Sequence, residues 1–269
     1  MSSNKLNNKE QQLKELLRPE IKAISPYCGE EDNFEVEINL SGNESPFDLP
    51  QEIKDKFKSE FEQHDINRYP EIYSERLHQT LADYLSRELE QQVSTEEVIA
   101  GNGSDEILDM LIRTFVEPGD VVLSQAPTFS MYKYFTELSG GQYEEISLDE
   151  DFDFKKLKAK IDQFKPKLIF LCSPNNPTGE IIERELILKL ADYFAGPVLV
   201  DEAYADFNEI DLMPDVKDHP NLAVTRTFSK AFGLAGMRFG YLYGNQVLVE
   251  ELKKVLKPYN LNSLTDILA

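Results

Sequence analysis

From about residue 94 onward, short apolar runs alternate with segments of helical periodicity. No other feature narrows the possible folds as far. The runs Val98–Ala100, Val121–Ser124, Leu168–Cys172, Val198–Val200, Ala223–Phe228 and Phe239–Tyr243 read as strands, and Ser104–Val116, Phe154–Phe164 and Glu183–Phe194 as the helices between them. Ile107, Leu108, Leu111, Ile112 and Phe115 recur at helical spacing and give one apolar face. Short apolar strands alternating with helices predict an α/β fold whose mainly parallel sheet is covered on both faces. Upstream, residues 9–24 read as a short amphipathic helix interrupted near Pro19, and 30–37 as an exposed acidic stretch.

The chain's 269 residues can bury a substantial core in one large domain or two. Its two cysteines, Cys28 and Cys172, supply no disulfide framework, which fits a reducing cytoplasm. Nothing in the first residues resembles the apolar core of a signal peptide, and no apolar run is long enough to span a bilayer. The net charge of -21 opposes both nucleic acid and anionic membranes as partners. Surplus carboxylates serve solubility, and they would also suit a salty interior where screening weakens self-repulsion. His64, His78 and His219 show no metal-ligand spacing, so no metal is expected.

The chemistry concentrates in a few strings. In Thr227-Phe228-Ser229-Lys230-Ala231-Phe232-Gly233-Leu234-Ala235-Gly236-Met237-Arg238, a lysine sits among hydroxyls and small residues, with an arginine eight positions on. An amine of this kind can bond covalently to an aldehyde cofactor, while hydroxyls and a bidentate guanidinium hold its phosphate. Asp201 follows Val198-Leu199-Val200 and is expected at the carboxyl end of a buried strand, where α/β sheets bind ligands. A carboxylate there can pair with a protonated pyridine nitrogen, although helix caps and strand ends use aspartate as often. Tyr204, three residues further on, could bond a ring hydroxyl or simply pack. Asn176, in Ser173-Pro174-Asn175-Asn176-Pro177-Thr178-Gly179, could reach the same oxygen from a rigid turn. Gly101-Asn102-Gly103-Ser104-Asp105 stands between a strand and a helix, where free N–H groups favour phosphate. It lacks the third glycine of a dinucleotide fingerprint, having Glu106 instead. Phe129, after the strand Val121–Ser124, could stack on a flat ring or serve the core.

Together these strings resemble the fold-type I pyridoxal phosphate enzymes and, within them, the class I/II aminotransferases, nearest those acting on histidinol phosphate. The likeness runs from about Ile24 onward and includes Ile38-Asn39-Leu40-Ser41-Gly42-Asn43-Glu44-Ser45-Pro46-Phe47 and Asn67-Arg68-Tyr69-Pro70-Glu71. It implies pyridoxal 5'-phosphate as cofactor, with Lys230 as its covalent anchor, Asp201 on the pyridine nitrogen, and Asn176 and Tyr204 on the ring hydroxyl. It places Phe129 on the ring face, where relatives often carry tyrosine. Thr227, Ser229, Arg238 and the Ser104 and Asp105 amides then hold the phosphate. Tyr69 completes the phosphate site of a neighbouring subunit, which implies a homodimer, and Tyr27 and Asn43 lie on the substrate side. The implied reaction is transfer of an amino group from L-histidinol phosphate to 2-oxoglutarate in histidine biosynthesis. Threonine-phosphate decarboxylases and aromatic amino acid aminotransferases share most of the motifs. A noncatalytic cofactor-binding module or an inactive fragment is the rival outside active enzymes. The implied organisation is an N-terminal arm and small-domain segment at 1–45, a cofactor-binding large domain at 46–262, and at 263–269 the start of an incomplete C-terminal small domain, the part in which relatives carry arginines for the substrate.

Overall fold

The structure, a computed structural model, describes residues 2–26, 40–148, 152–209 and 211–268. In chain order the elements are helices α1 (Ser2–Glu15), α2 (Pro19–Ala23), α3 (Gln51–Glu62) and α4 (Glu75–Glu88), then strand β1 (Val98–Asn102), α5 (Ser104–Phe115), β2 (Val121–Ala126), α6 (Met131–Leu138), β3 (Gln142–Ser147), α7 (Phe154–Phe164), β4 (Leu168–Cys172), α8 (Arg184–Tyr193), β5 (Val198–Asp201), β6 (Leu222–Thr227), β7 (Phe239–Gly244), α9 (Gln246–Lys253) and α10 (Ser263–Leu268). The break read near Pro19 is real: α1 ends at Glu15, and Pro19 opens α2, where its missing N–H costs nothing. The acidic stretch 30–37 and Tyr27 lie outside the described residues.

The strands form one seven-stranded sheet in the order β1-β7-β6-β5-β4-β2-β3. β3, β2, β4, β5 and β6 run parallel, and β7 runs antiparallel to both of its neighbours, β6 and β1. Side-chain alternation divides the core into two layers. Ile169, Leu171, Val198, Val200 and Val224 pack on one face against Leu77, Leu81 and Leu85 of α4, Leu157 of α7, and Ile187 and Leu190 of α8. Leu168, Phe170, Leu199 and Ala223 face the other way, toward Ile107, Leu108, Leu111 and Ile112 of α5, Tyr132 of α6 and Val249 of α9. The central strands are buried on both sides, which is why they read as continuous apolar runs.

Two details depart from the sequence reading, and a third segment takes a form that the reading did not specify. β6 begins one residue earlier than expected and ends at Thr227, so Phe228 belongs to the loop that carries Lys230. β3 was not expected: its segment, Gln-Tyr-Glu-Glu-Ile-Ser, is an edge strand with one buried residue, Ile146, and edge strands retain polar side chains. Residues 263–268 fold as α10, packed on α3, where Thr265 is buried and donates to the Met237 carbonyl at 2.6 Å.

Candidate active site

Strand alternation decides which groups gather at the carboxyl ends of the parallel strands. Cys172 ends β4, Asp201 ends β5 and Thr227 ends β6, all on the sheet face that packs against α5 and α6. They meet the start of α5, the loop before α6 and the loop after β6 around a cleft of about 600 Å³. Its walls include Asn43, Ser104, Asp105, Phe129, Asn176, Tyr204, Thr227, Ser229, Lys230 and Arg238. Ten of the predicted residues, drawn from positions 43 to 238, therefore share one cavity.

One end of the cleft brings together groups that can hold an anion. α5 begins at Ser104 with no side-chain cap on its first turn, so backbone N–H groups are available there. Gly103 precedes it with φ +77°, and a Cβ at Gly103 would fall 2.7 Å from Arg238 Nη2. A Cβ at Gly240 would meet the Ser104 backbone N at 2.5 Å. Only glycine at both positions lets β7, the Arg238 side chain and the helix start converge so closely. Arg238 itself is left-handed (φ 53°), and its carbonyl accepts the Gly103 N–H at 2.9 Å. Asp105 pairs with Arg238 Nη2 at 3.3 Å, and Thr227 Oγ1 accepts the Ser229 N–H at 3.2 Å.

At the other end Lys230 Nζ donates to the Gly42 carbonyl at 2.8 Å. Burial pushes the Lys230 amine below its ordinary value, and Glu44 and Asp105 act against that. Asn43 Nδ2 donates to the Tyr204 hydroxyl at 3.0 Å, so the segment that carries Asn43 closes over the lysine side of the cleft. Burial raises the Tyr204 phenol, with the Asn43 bond opposing.

Asp201 sits behind the cavity wall formed by its neighbours Cys172 and Ala203 and is 3% exposed. Burial pushes its carboxyl up to about 6; the bonds from Tyr132 and from the Ala203 N–H pull it down. Two residues missed in the sequence reading belong here. Tyr132 is fully buried, and its hydroxyl donates to Asp201 Oδ2 at 2.8 Å. Cys172 packs beside them, its thiol raised to about 12 by burial and therefore inert.

The Asn-Asn pair divides its work. Asn175 is the buried member: it donates to the Pro127 carbonyl and to Thr178 Oγ1, both at 2.9 Å, and accepts from Thr128 Oγ1 at 2.8 Å. That knot ties the turn to the loop bearing Phe129 and leaves Asn176 on the cleft wall. The sequence signal was the doubled asparagine, which does not say which one points inward. Glu106 also has a purpose: its carboxylate accepts the Asn102 N–H at 2.8 Å and Asn260 Nδ2 at 2.9 Å, closing the turn where a dinucleotide fold would need glycine. Tyr69 is not in the cleft. It is 81% exposed and stacks on Tyr259 at 4.6 Å. Among the described residues no group of three or more His, Cys, Asp or Glu side chains gathers to hold a metal, and no helix is long and apolar enough to cross a membrane.

Comparison with known proteins gives the family. The model of the family "Aminotransferase class I and II" matches residues 35–269, and the chain belongs to that family. Within it, the chain is 39% identical over 259 residues to the histidinol-phosphate aminotransferase of Caldanaerobacter subterraneus subsp. tengcongensis, covering 96% of this chain and 72% of the relative. It is also 39% identical over 246 residues to the enzyme of that name from Pyrococcus furiosus, covering 91% and 70%. Among solved structures, histidinol-phosphate aminotransferase from Sinorhizobium meliloti in complex with pyridoxal-5'-phosphate shares the fold, with TM-score 0.75 and 24% identity. That match covers 84% of this chain and 61% of the solved one. The L-threonine-O-3-phosphate decarboxylase of Porphyromonas gingivalis shares it as well, at TM-score 0.70 and 24% identity.

Proposed function

We propose that the chain binds pyridoxal 5'-phosphate in the 600 Å³ cleft and catalyses transfer of an amino group from L-histidinol phosphate to 2-oxoglutarate. The observation that carries the reading is the convergence of Lys230, Arg238 and the glycine-cleared start of α5 on one cavity, in a chain 39% identical to a histidinol-phosphate aminotransferase. The residues present fit the cofactor's phosphate: the bare Gly103 lets the Arg238 guanidinium lie against the start of α5, and that guanidinium and the first amides of α5 suit a phosphate.

When bound, pyridoxal phosphate supplies a carbonyl for the substrate amine and an electron-withdrawing ring that stabilises negative charge on the adjacent carbon. The protein would do the rest. The half-buried Lys230 amine loses its proton more readily than an exposed lysine, which suits it both to covalent attachment and, once freed, to taking the proton from the amine-bearing carbon of the substrate. Asp201 would keep the pyridine nitrogen protonated, and Asn176 and Tyr204 would hold the ring hydroxyl. Thr227, Ser229, Arg238 and the Ser104 and Asp105 amides would hold the phosphate, and Phe129 would lie against the ring. Tyr69, exposed and remote from its own cleft, would complete the phosphate site of a second copy, making the working unit a homodimer.

The test is the absorbance of the chain with pyridoxal phosphate, before and after L-histidinol phosphate. Conversion of the lysine-bound spectrum to that of the amine form supports the reading. Release of carbon dioxide, or no response to any phosphorylated amine, counts against it. Lys230→Ala is expected to retain the cofactor noncovalently and lose turnover, and near-normal turnover in that variant would sink the mechanism.

A further inference from the structure

Tyr132 has no exposed surface and does not line the cleft, yet its hydroxyl, the one polar atom of its side chain, donates to the Asp201 carboxylate behind the cavity wall. Its ring is clamped. It stacks on Phe170 of β4 with centroids 4.9 Å apart and an interplanar angle of 17°, and it meets the Phe129 ring edge-on at 5.7 Å and 87°. The hydroxyl is thereby aimed at Asp201 Oδ2 at 2.8 Å, while Asp201 Oδ1 accepts the Ala203 N–H at 3.1 Å. One donor on each oxygen fixes the rotation of the carboxylate. Each oxygen still has a lone pair for a further donor. A packing role alone would not need the hydroxyl, since phenylalanine fills the same space and leaves no buried polar atom to satisfy.

We propose that Tyr132 is a positioning residue that holds Asp201 ionised and oriented for a protonated ring nitrogen, and that through its edge contact it also sets the Phe129 ring that faces the same ligand. The proposal rests on the cofactor reading above. The physics is direct: a carboxylate taken out of water tends to hold its proton, and a hydrogen bond donated to the charged form opposes that. The phenol suits the task because its own burial raises its pKa well above the ordinary value, so it remains a donor at every working pH. The other groups bearing on Asp201 are Asp105 from α5, which raises it, and Cys172 and Tyr204, both of which stay neutral near pH 7.

The experiment compares the unaltered chain with Tyr132→Phe, Asp201→Asn and the double variant. The Asp201 titration is followed by carbon NMR without cofactor, and pyridoxal phosphate affinity is measured against pH. In Tyr132→Phe the Asp201 midpoint is expected to rise by a unit or more. Affinity near pH 7 should fall about tenfold or more, as for loss of a hydrogen bond to a charged group. The acid limb of the affinity profile should move upward with the midpoint. In the Asp201→Asn background the same change should matter less than about twofold, because the coupled partner is gone. An unchanged midpoint, or an equal loss in the Asn background, overturns the proposal and leaves Tyr132 a packing residue. Failure of the unaltered chain to bind pyridoxal phosphate overturns the cofactor reading, and with it the purpose assigned here, whereas an unchanged midpoint overturns the proposal alone.

Discussion

Two side chains and one missing side chain govern the cleft. Gly103 is the missing one. Gly103→Ala would force an L-residue to φ +77° and place its Cβ 2.7 Å from Arg238 Nη2. The backbone strain alone should cost about 1–2 kcal/mol of stability. Arg238 must also shift, so pyridoxal phosphate affinity should fall by more than the stability loss explains; urea unfolding beside cofactor titration checks both. Asp201 gives a pH signature. Its carboxyl is raised to about 6 in the folded chain, so the native state keeps a proton that the unfolded chain releases near pH 4. Stability that is full below about pH 4 is therefore lost as pH rises through about 6, by on the order of 2–3 kcal/mol. Glu202, raised to about 7 by burial against the pull of Arg226, has the same sign and extends the fall. Urea midpoints of the cofactor-free chain from pH 4.5 to 7.5 should show this decline, and Asp201→Asn should flatten its lower part. Lys230 is the third group: burial lowers its amine below the ordinary value, while Glu44 and Asp105 oppose that, and its Nζ donates to the Gly42 carbonyl at 2.8 Å.

At the level of elements, the site exists because strand ends and helix starts are held in register by the core. Leu111 lies on the buried face of α5, fully enclosed and outside the lining of the cleft. Leu111→Ala should cost about 2–5 kcal/mol in thermal or urea unfolding. Cofactor affinity per folded molecule should change little if α5 keeps its start. The α/β alternation was legible because central strands buried on both faces must be apolar throughout, as in Leu168–Cys172. β3 was not legible, because an edge strand with a single buried residue carries no such run. The antiparallel course of β7 was hidden too, since Phe239–Gly244 would be equally apolar in either direction. The lysine string, the aspartate and the arginine could be read because each lies in a local motif. Tyr132 could not, because its bond to Asp201 spans 69 positions and only folding brings them together.

The whole molecule carries 49 acidic against 28 basic side chains, a net charge of -21. Self-repulsion of that size should be screened by salt, and the melting temperature should rise by roughly 2–6 °C between low ionic strength and about 1 M sodium chloride. The chain spans 72% of the curated relative and 61% of the solved chain compared above, yet the described residues bring Lys230, Arg238 and the start of α5 to one cleft, with Asp201 buried behind its wall. The central claim is the proposal that Lys230 of this cleft bonds pyridoxal phosphate. The measurement that bears on it most directly is borohydride reduction of the chain mixed with pyridoxal phosphate, followed by peptide mass mapping. The expected result is one stoichiometric adduct on the peptide containing Lys230, lost in Lys230→Ala and weakened by Arg238→Ala. No adduct, or modification spread over other lysines with Lys230 unmarked, would contradict it.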